Sequence, residues 1–188
     1  MSDSPIRLGG SPAERVALGV QRWGEQRFVE LCVELQRTMS WRDEPDLLSY
    51  IAGLHGRRFV EFGPGRQGYW LRTWPLRAFL YAWTDDAAPT VLAALADEHW
   101  RVREMAGKVA VRREIGEAAD GAYRLLNDPI ARVRAAAARV IGAVGEAEHA
   151  DRLRQLTLDP DTAVADQAER ALVTLAERLD ADPNQLGR

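Results

Sequence analysis

Three groups of residues have types and spacings that could do chemistry. In "FVEFGPGRQGYW" (59–70), Gly63, Gly65 and Gly68 spell G-x-G-x-x-G behind a short strand-like run. Glycines so placed let a backbone approach a cofactor where a parallel strand turns into a helix. Glu98–His99 and Glu148–His149 pair an acid with an imidazole, and His55 stands apart. Carboxylate and imidazole together suit transition-metal binding. Trp70, Trp74, Trp83 and Trp100 fall within 32 residues with Tyr69 and Tyr81, and Trp100 is followed by Arg101 and Arg103. Aromatic faces beside guanidinium groups can stack a nucleotide base.

The surroundings argue against most of this chemistry. No strand–helix alternation follows the glycines, so Gly63–Gly68 reads as a loop between helices. The two acid–histidine pairs lie 50 residues apart, so the three histidines read as surface residues. The tryptophans read mainly as core, with Trp70, Trp74 and Trp100 kept as candidates for aromatic contact. Cys32 lies in "FVELCVELQ" among glutamates and reads as a buried, inert thiol. No Ser/His/Asp grouping stands out. No catalytic residue, metal or cofactor is expected.

The bulk properties set the frame for these groups. The chain has 188 residues, 46% of them hydrophobic and 28% charged, with a formal net charge of −3. That is enough apolar material for a core and no global demand for an anionic partner. A single cysteine excludes an internal disulfide framework. The opening "MSDSPIRLGGSPAE" lacks the apolar region of a secretory signal, and no run of about 18 apolar residues occurs. The expected location is the cytoplasm, without a membrane partner. Charge is uneven: residues 1–56 carry a net −2, residues 57–139 a net +4, and residues 140–188 a net −5.

The elements that position the arginines come from a repeat. "LADEHWRVREMAGKVA" (95–110), "LNDPIARVRAAAARVI" (126–141) and "TLDPDTAVADQAERAL" (157–172) align at an offset of 31 without a gap. Asp97, Asp128 and Asp159 coincide, as do Val102, Val133 and Val164, and Ala106, Ala137 and Ala168. Each copy reads as a short helix (about 88–96, 117–126 and 148–158), a turn marked by "DP" in two copies, and a longer helix (about 100–113, 130–143 and 161–179). The aspartate is placed to cap the longer helix. In the middle copy Ile130, Val133, Ala137, Val140, Ile141 and Val144 form one apolar stripe at helical spacing. Upstream, "SPAERVALGVQRW" opens with the capping box Ser11–Glu14, and "EQRFVELCVELQR" and "PDLLSYIAGLHG" read as amphipathic helices punctuated by Gly24 and Gly56.

This pattern resembles short bacterial HEAT-like repeats, the group that includes phycobilisome-lyase-type and DNA-alkylation-type repeats. The resemblance implies an all-α chain: an α-solenoid of three to four helical hairpins behind an N-terminal helical cap. The expected divisions are a cap over 1–66, an array over 67–182 with clear repeats at about 87–116, 117–147 and 148–180, and a tail over 183–188. "TWPLRAFLYAW" (73–83) is a degenerate candidate for a fourth copy. "VEFGPG" also resembles the first motif of S-adenosylmethionine-dependent methyltransferases, but that motif belongs to a parallel sheet. HEAT-repeat hydroxylases hold two irons with His–Glu pairs in register, which this chain lacks. HEAT-like DNA glycosylases imply a tryptophan-lined surface with a catalytic aspartate, for which no position here matches.

The arginines divide by helical angle. Arg103 and Arg134 fall at the edge of the apolar stripe, where each can reach the aspartate of an adjacent repeat. Asp97, Arg103, Asp128 and Arg134 are therefore assigned to a structural ladder, since a charge near core needs a partner. Arg132 and Arg139 face away from the core and are expected to be free. Lys108, Arg139 and Arg170 make one column across the repeats, Arg101 and Arg132 another, and Arg112 adds to the first repeat. The resemblance places this face on the inner side of the array. The function expected is a non-enzymatic adaptor that binds an acidic protein partner there; nucleic-acid binding, with or without glycosylase-like chemistry, is the alternative.

Overall fold

The computed structural model describes residues 10–183 and Leu186. All regular structure among them is helical, and the chain divides into two compact units, Met1–Thr90 and Val91–Arg188.

In the first unit, α1 (Pro12–Trp23) starts at Ser11, whose hydroxyl accepts from the Glu14 N–H at 3.3 Å. The Glu14 carboxylate answers by accepting from the Ser11 N–H at 2.7 Å. Gly24, at φ 79°, turns the chain into α2 (Glu25–Thr38). The single amphipathic segment expected over "PDLLSYIAGLHG" is two helices, α3 (Pro45–Ala52) and α4 (Leu54–Phe62). The break falls at Gly53, where φ 60° and ψ −135° are open to glycine and strained for other residues. Gly56, expected to punctuate, lies inside α4, where a side chain would collide with the Leu48 carbonyl oxygen. It therefore lets α4 lie against α3. The strand-like run before Gly63 is the last turn of α4, and a short 3-10 turn (Gly65–Gln67) leads into α5 (Trp70–Ala78). α5 packs on α1, α2 and α3. Phe28, Leu48, Ile51, Leu76 and Phe79 are fully buried among these helices.

The division between the units falls within α6 (Ala88–Ala94). Two helical hairpins follow: α8 (Ala118–Leu125) with α9 (Ala131–Val144), and α10 (Ala150–Leu156) with α11 (Thr162–Arg178). With α7 (Trp100–Arg112), which follows α6, the unit is an α-solenoid. The longer helices pack side by side, α7 against α9 and α9 against α11. Val102, Val133 and Val164, equivalent in the three copies, are each wholly inaccessible. Along α9 the buried surface is wider than the predicted stripe. Ala136 and Ala138 are buried too, because α7, α8 and α11 cover this helix on three sides. Small side chains set the spacing: at Gly142 an added Cβ would meet the Ala171 Cα at 2.9 Å. None of the described helices is long and apolar enough to cross a membrane.

Candidate partner-binding face

The site is built on three equivalent turns. In each, the aspartate's Oδ1 accepts the backbone N–H two residues on: Asp97 from His99 at 2.8 Å, Asp128 from Ile130 at 2.9 Å, and Asp159 from Asp161 at 2.9 Å. His99, Ile130 and Asp161 are themselves the N-cap residues of α7, α9 and α11. The aspartates do not cap the helices, as the sequence led us to expect; each closes an Asx turn that fixes the residue that does. At the first and third turns the cap side chain also takes part, His99 Nδ1 accepting from the Arg101 N–H at 3.3 Å and Asp161 from the Ala163 N–H at 3.0 Å.

The second oxygen of Asp128 and of Asp159 takes an arginine from the preceding copy. Arg103 Nε donates to Asp128 Oδ2 at 2.7 Å, and its Nη1 donates to the Asp97 and Glu98 carbonyls at 2.8 and 3.0 Å. Arg134 repeats this with Asp159, adding a second bond from Nη2 to Oδ1 at 2.8 Å, while its Nη1 donates to the Asp128 carbonyl at 2.9 Å. Each guanidinium thus binds its own turn and the next. These pairs are well shielded, with side-chain exposures of 13% and 4% for Arg103 and Asp128 and 15% and 6% for Arg134 and Asp159. Hydrogen bonding from Arg134 holds the Asp159 carboxyl below the usual carboxylate range, and the same bond raises Arg134. The third copy has Ala165 at the arginine position.

Along α7, Trp100, Glu104 and Lys108 lie at i, i+4 and i+8 and share one side of the helix. Glu104 is buried, and one of its two carboxylate oxygens, Oε1, accepts from Lys108 Nζ at 2.9 Å and from Arg132 Nε and Nη2 at 3.2 and 3.1 Å. The guanidinium of Arg101 stands 4.3 Å from the Trp100 ring centroid and that of Arg132 5.5 Å. Arg139, on α9, donates from Nη2 to Gln167 Oε1 on α11 at 3.0 Å. Arg112 and Arg170 are exposed.

Two expectations change here. Arg132 and Arg139 are not free: one is bound to a carboxylate and the other to a side-chain amide. The two columns are also not separate, because Arg132 of one and Lys108 of the other meet at Glu104. Glu104 and Gln167, which organise the face, were not singled out as site residues. Glu104 carries the one usable signal, its position four residues before Lys108. No corresponding pair forms between Asp166 and Arg170 among the described residues.

The remaining candidates resolve individually. Trp74 is buried, stacked on Trp70 with centroids 5.7 Å apart, and meets Phe59 edge-on at 4.7 Å. Both therefore sit in an aromatic cluster of the first unit. Gly63–Gly68 is a loop joining two helices. His149, expected at the surface, is buried; its Nδ1 accepts the Glu146 N–H at 2.9 Å and its ring packs edge-on against Tyr123. Among the described residues no group of three or more His, Cys, Asp or Glu is arranged to hold a metal ion. Cys32 is wholly inaccessible, and burial pushes its thiol well above the ordinary range.

No curated protein matches the chain. The model of the HEAT-repeat family matches residues 88–173, which span α6 to α10, the connecting turns and most of α11. The turn-by-turn equivalence described above and this match lead to one conclusion: residues 88–173 are built of HEAT-like repeats.

Proposed function

We propose that the chain is a non-enzymatic adaptor whose second-helix face binds an acidic surface of a protein partner. HEAT repeats in general mediate protein–protein interaction. The observation that carries the acidic preference is the composition of the face: two guanidinium groups stand over the Trp100 ring, and Arg139 next along α9 has a neutral amide as its acceptor. Arg101, Lys108, Arg112, Arg132, Arg139 and Arg170 supply the positive charge. Rim charges of this kind steer encounter and select partners of opposite sign, and an aromatic–arginine centre is typical of energetic hot spots.

The test compares wild type with R132E/R139E as immobilised baits in an extract of the native host. The variant is expected to lose a specific partner; R132Q/R139Q, which sets no second carboxylate against Glu104, should lose it too with its thermal midpoint nearly unchanged, because neither residue belongs to the shielded Asp–Arg ladder. Equal capture by both baits overturns the reading. Trp100 also favours a second reading, in which its half-buried face stacks a base between phosphate-binding arginines. A gel shift of duplex or single-stranded DNA that weakens steeply with salt and disappears in R132E/R139E selects that reading instead.

A further inference from the structure

The outer side of α4, in the first unit, combines exposed apolar and basic side chains. Leu54 and Phe62 are 59% and 76% exposed, the highest values among the large hydrophobic residues described in that unit. Arg58 lies midway between them, and positions i, i+4 and i+8 run along one side of a helix. Arg57 beside it, and Arg66 in the 3-10 turn that follows, are exposed as well. Among the described residues none of these three arginines makes an ion pair. From Leu54 to Arg72 the chain carries four arginines against one acidic residue, Glu61. The opposite side of α4 is fixed in the fold: Gly56 lies against Leu48 of α3, and Phe59 meets Trp74 edge-on at 4.7 Å.

A phenyl ring and an isobutyl group left in water cost free energy that burial would recover. The arginines beside them restrict what can supply that burial. An apolar protein surface would take water from the guanidinium groups and return no counter-charge. The boundary of an anionic bilayer supplies both parts at once: acyl chains for the apolar tips and phosphate oxygens for the guanidinium forks. Arginine stems lie along apolar surface while their heads reach the phosphates. Side chains this exposed stand out from the surface and suit a boundary that deforms around them. The whole chain carries a formal −3, but charges are screened within about 10 Å at about 0.1 M salt, so local charge governs contact. The lack of a spanning run argues against crossing a bilayer and leaves docking at its surface open.

We infer that α4 docks the chain on an anionic membrane surface. Leu54 and Phe62 enter the acyl boundary, while Arg57, Arg58 and Arg66 hold lipid phosphates. The site shares no residue with the partner-binding face.

The probe is a vesicle of phosphatidylcholine containing one-third phosphatidylglycerol, with pure phosphatidylcholine vesicles in a parallel arm. The full chain should co-sediment with the mixed vesicles, and much less with the neutral ones or at high salt. F62S should reduce partitioning about tenfold, as expected for one phenylalanine that no longer buries its ring. R57Q/R58Q should reduce it by at least as much, and since these residues are exposed neither variant should move the thermal midpoint. R132Q/R139Q, altered in the second unit, should bind as wild type. An environment-sensitive dye on F62C should shift its emission to the blue on the mixed vesicles, and the same dye on L158C, in the second unit, should not; Cys32 is wholly buried and stays unlabelled. The inference is overturned if wild type fails to bind mixed vesicles at low salt, or if F62S or R57Q/R58Q binds as tightly as wild type. Loss of binding in R132Q/R139Q would assign it to the repeat face and overturn the inference too. So would capture of soluble polyglutamate through Arg57 and Arg58 by a chain that ignores vesicles, which would make this a protein-binding surface.

Discussion

Gly142→Ala should destabilise the second unit, while Gly107→Ala should not. Both glycines lie inside longer helices, and there glycine is less favourable than alanine by about 1 kcal/mol. At Gly107 the added methyl would stand 3.4 Å from the Ala136 Cβ and 3.6 Å from the Val140 Cγ2, which are close to ordinary contacts. G107A should therefore keep most of the helix-propensity gain, about 0.5–1 kcal/mol. At Gly142 the methyl would stand 2.9 Å from the Ala171 Cα, 3.0 Å from its carbonyl oxygen and 3.1 Å from its Cβ. Two of those atoms are backbone and cannot rotate away, while comfortable carbon contacts begin at about 3.5 Å. α11 must then retreat from α9, and overpacking of this kind costs about 1–3 kcal/mol. The propensity term is common to both variants, so the difference between them isolates the overpacking cost.

Urea unfolding followed by far-UV circular dichroism measures this, with hydrogen exchange in α9 and α11 assigning the transition to the second unit. The expected order of midpoints is G107A at or above wild type, with G142A below both. Retreat of α11 should also loosen the Arg139–Gln167 bond and the bidentate Arg134–Asp159 pair, which cross the same interface. Equal shifts of the same sign in both variants would refute the claim that the missing Cβ of Gly142 sets the α9–α11 spacing.

The acid limb of stability should report on the ladder. The folded Asp159 carboxyl is held below its unfolded value of about 3.9, so its contribution is complete above that pH and is lost as pH falls through the lower folded value. D159N should cost about 1–3 kcal/mol at neutral pH and converge on wild type as pH falls below the lowered folded value, as judged by urea midpoints; a gap constant with pH would count against it. E104Q removes the carboxylate shared by Lys108 and Arg132, which are 35% and 66% exposed, so stability should change by less than about 1 kcal/mol. The same variant should elute later from a cation-exchange column run below the isoelectric point of about 5.7, and unchanged elution would show that Glu104 does not mask the positive charge of the face.

The helical hairpins were legible because two signals coincided in the chain: a 31-residue register and turn residues ahead of each apolar period. They place α8 and α9 within two residues of their observed ends. The acceptors of the face were not legible, because register aligns like with like. Contacts between neighbouring helices slip by about a turn, so Arg132 reaches Glu104 and Arg139 reaches Gln167 at separations of 28 rather than 31. Gly53 and Gly56 show a second limit. Both are glycines three residues apart, yet one supplies a positive φ that ends a helix and the other a missing side chain inside one. His149 shows a third: its burial depends on Tyr123, in the preceding hairpin, and no pattern around His149 announces that contact.

The arginines of the second unit therefore fall into two sets that can be altered separately. Arg103 and Arg134 each join two successive turns through shielded bonds, so losing one leaves a poorly solvated carboxylate without its counter-charge. The face arginines are held by weaker commitments, and these differ from one another. A partner carboxylate arriving at Arg132 must displace Glu104, exchanging one charge-assisted bond for another. At Arg139 it displaces only the neutral oxygen of Gln167, adding an opposite charge where none stood before. On the proposed reading the net gain on binding is thus concentrated at Arg139, with Trp100, Arg101 and Arg132 providing the apolar and cationic surface around it. R139Q alone should weaken capture more than R132Q alone, although Arg132 is the residue that meets both the tryptophan and the buried acid.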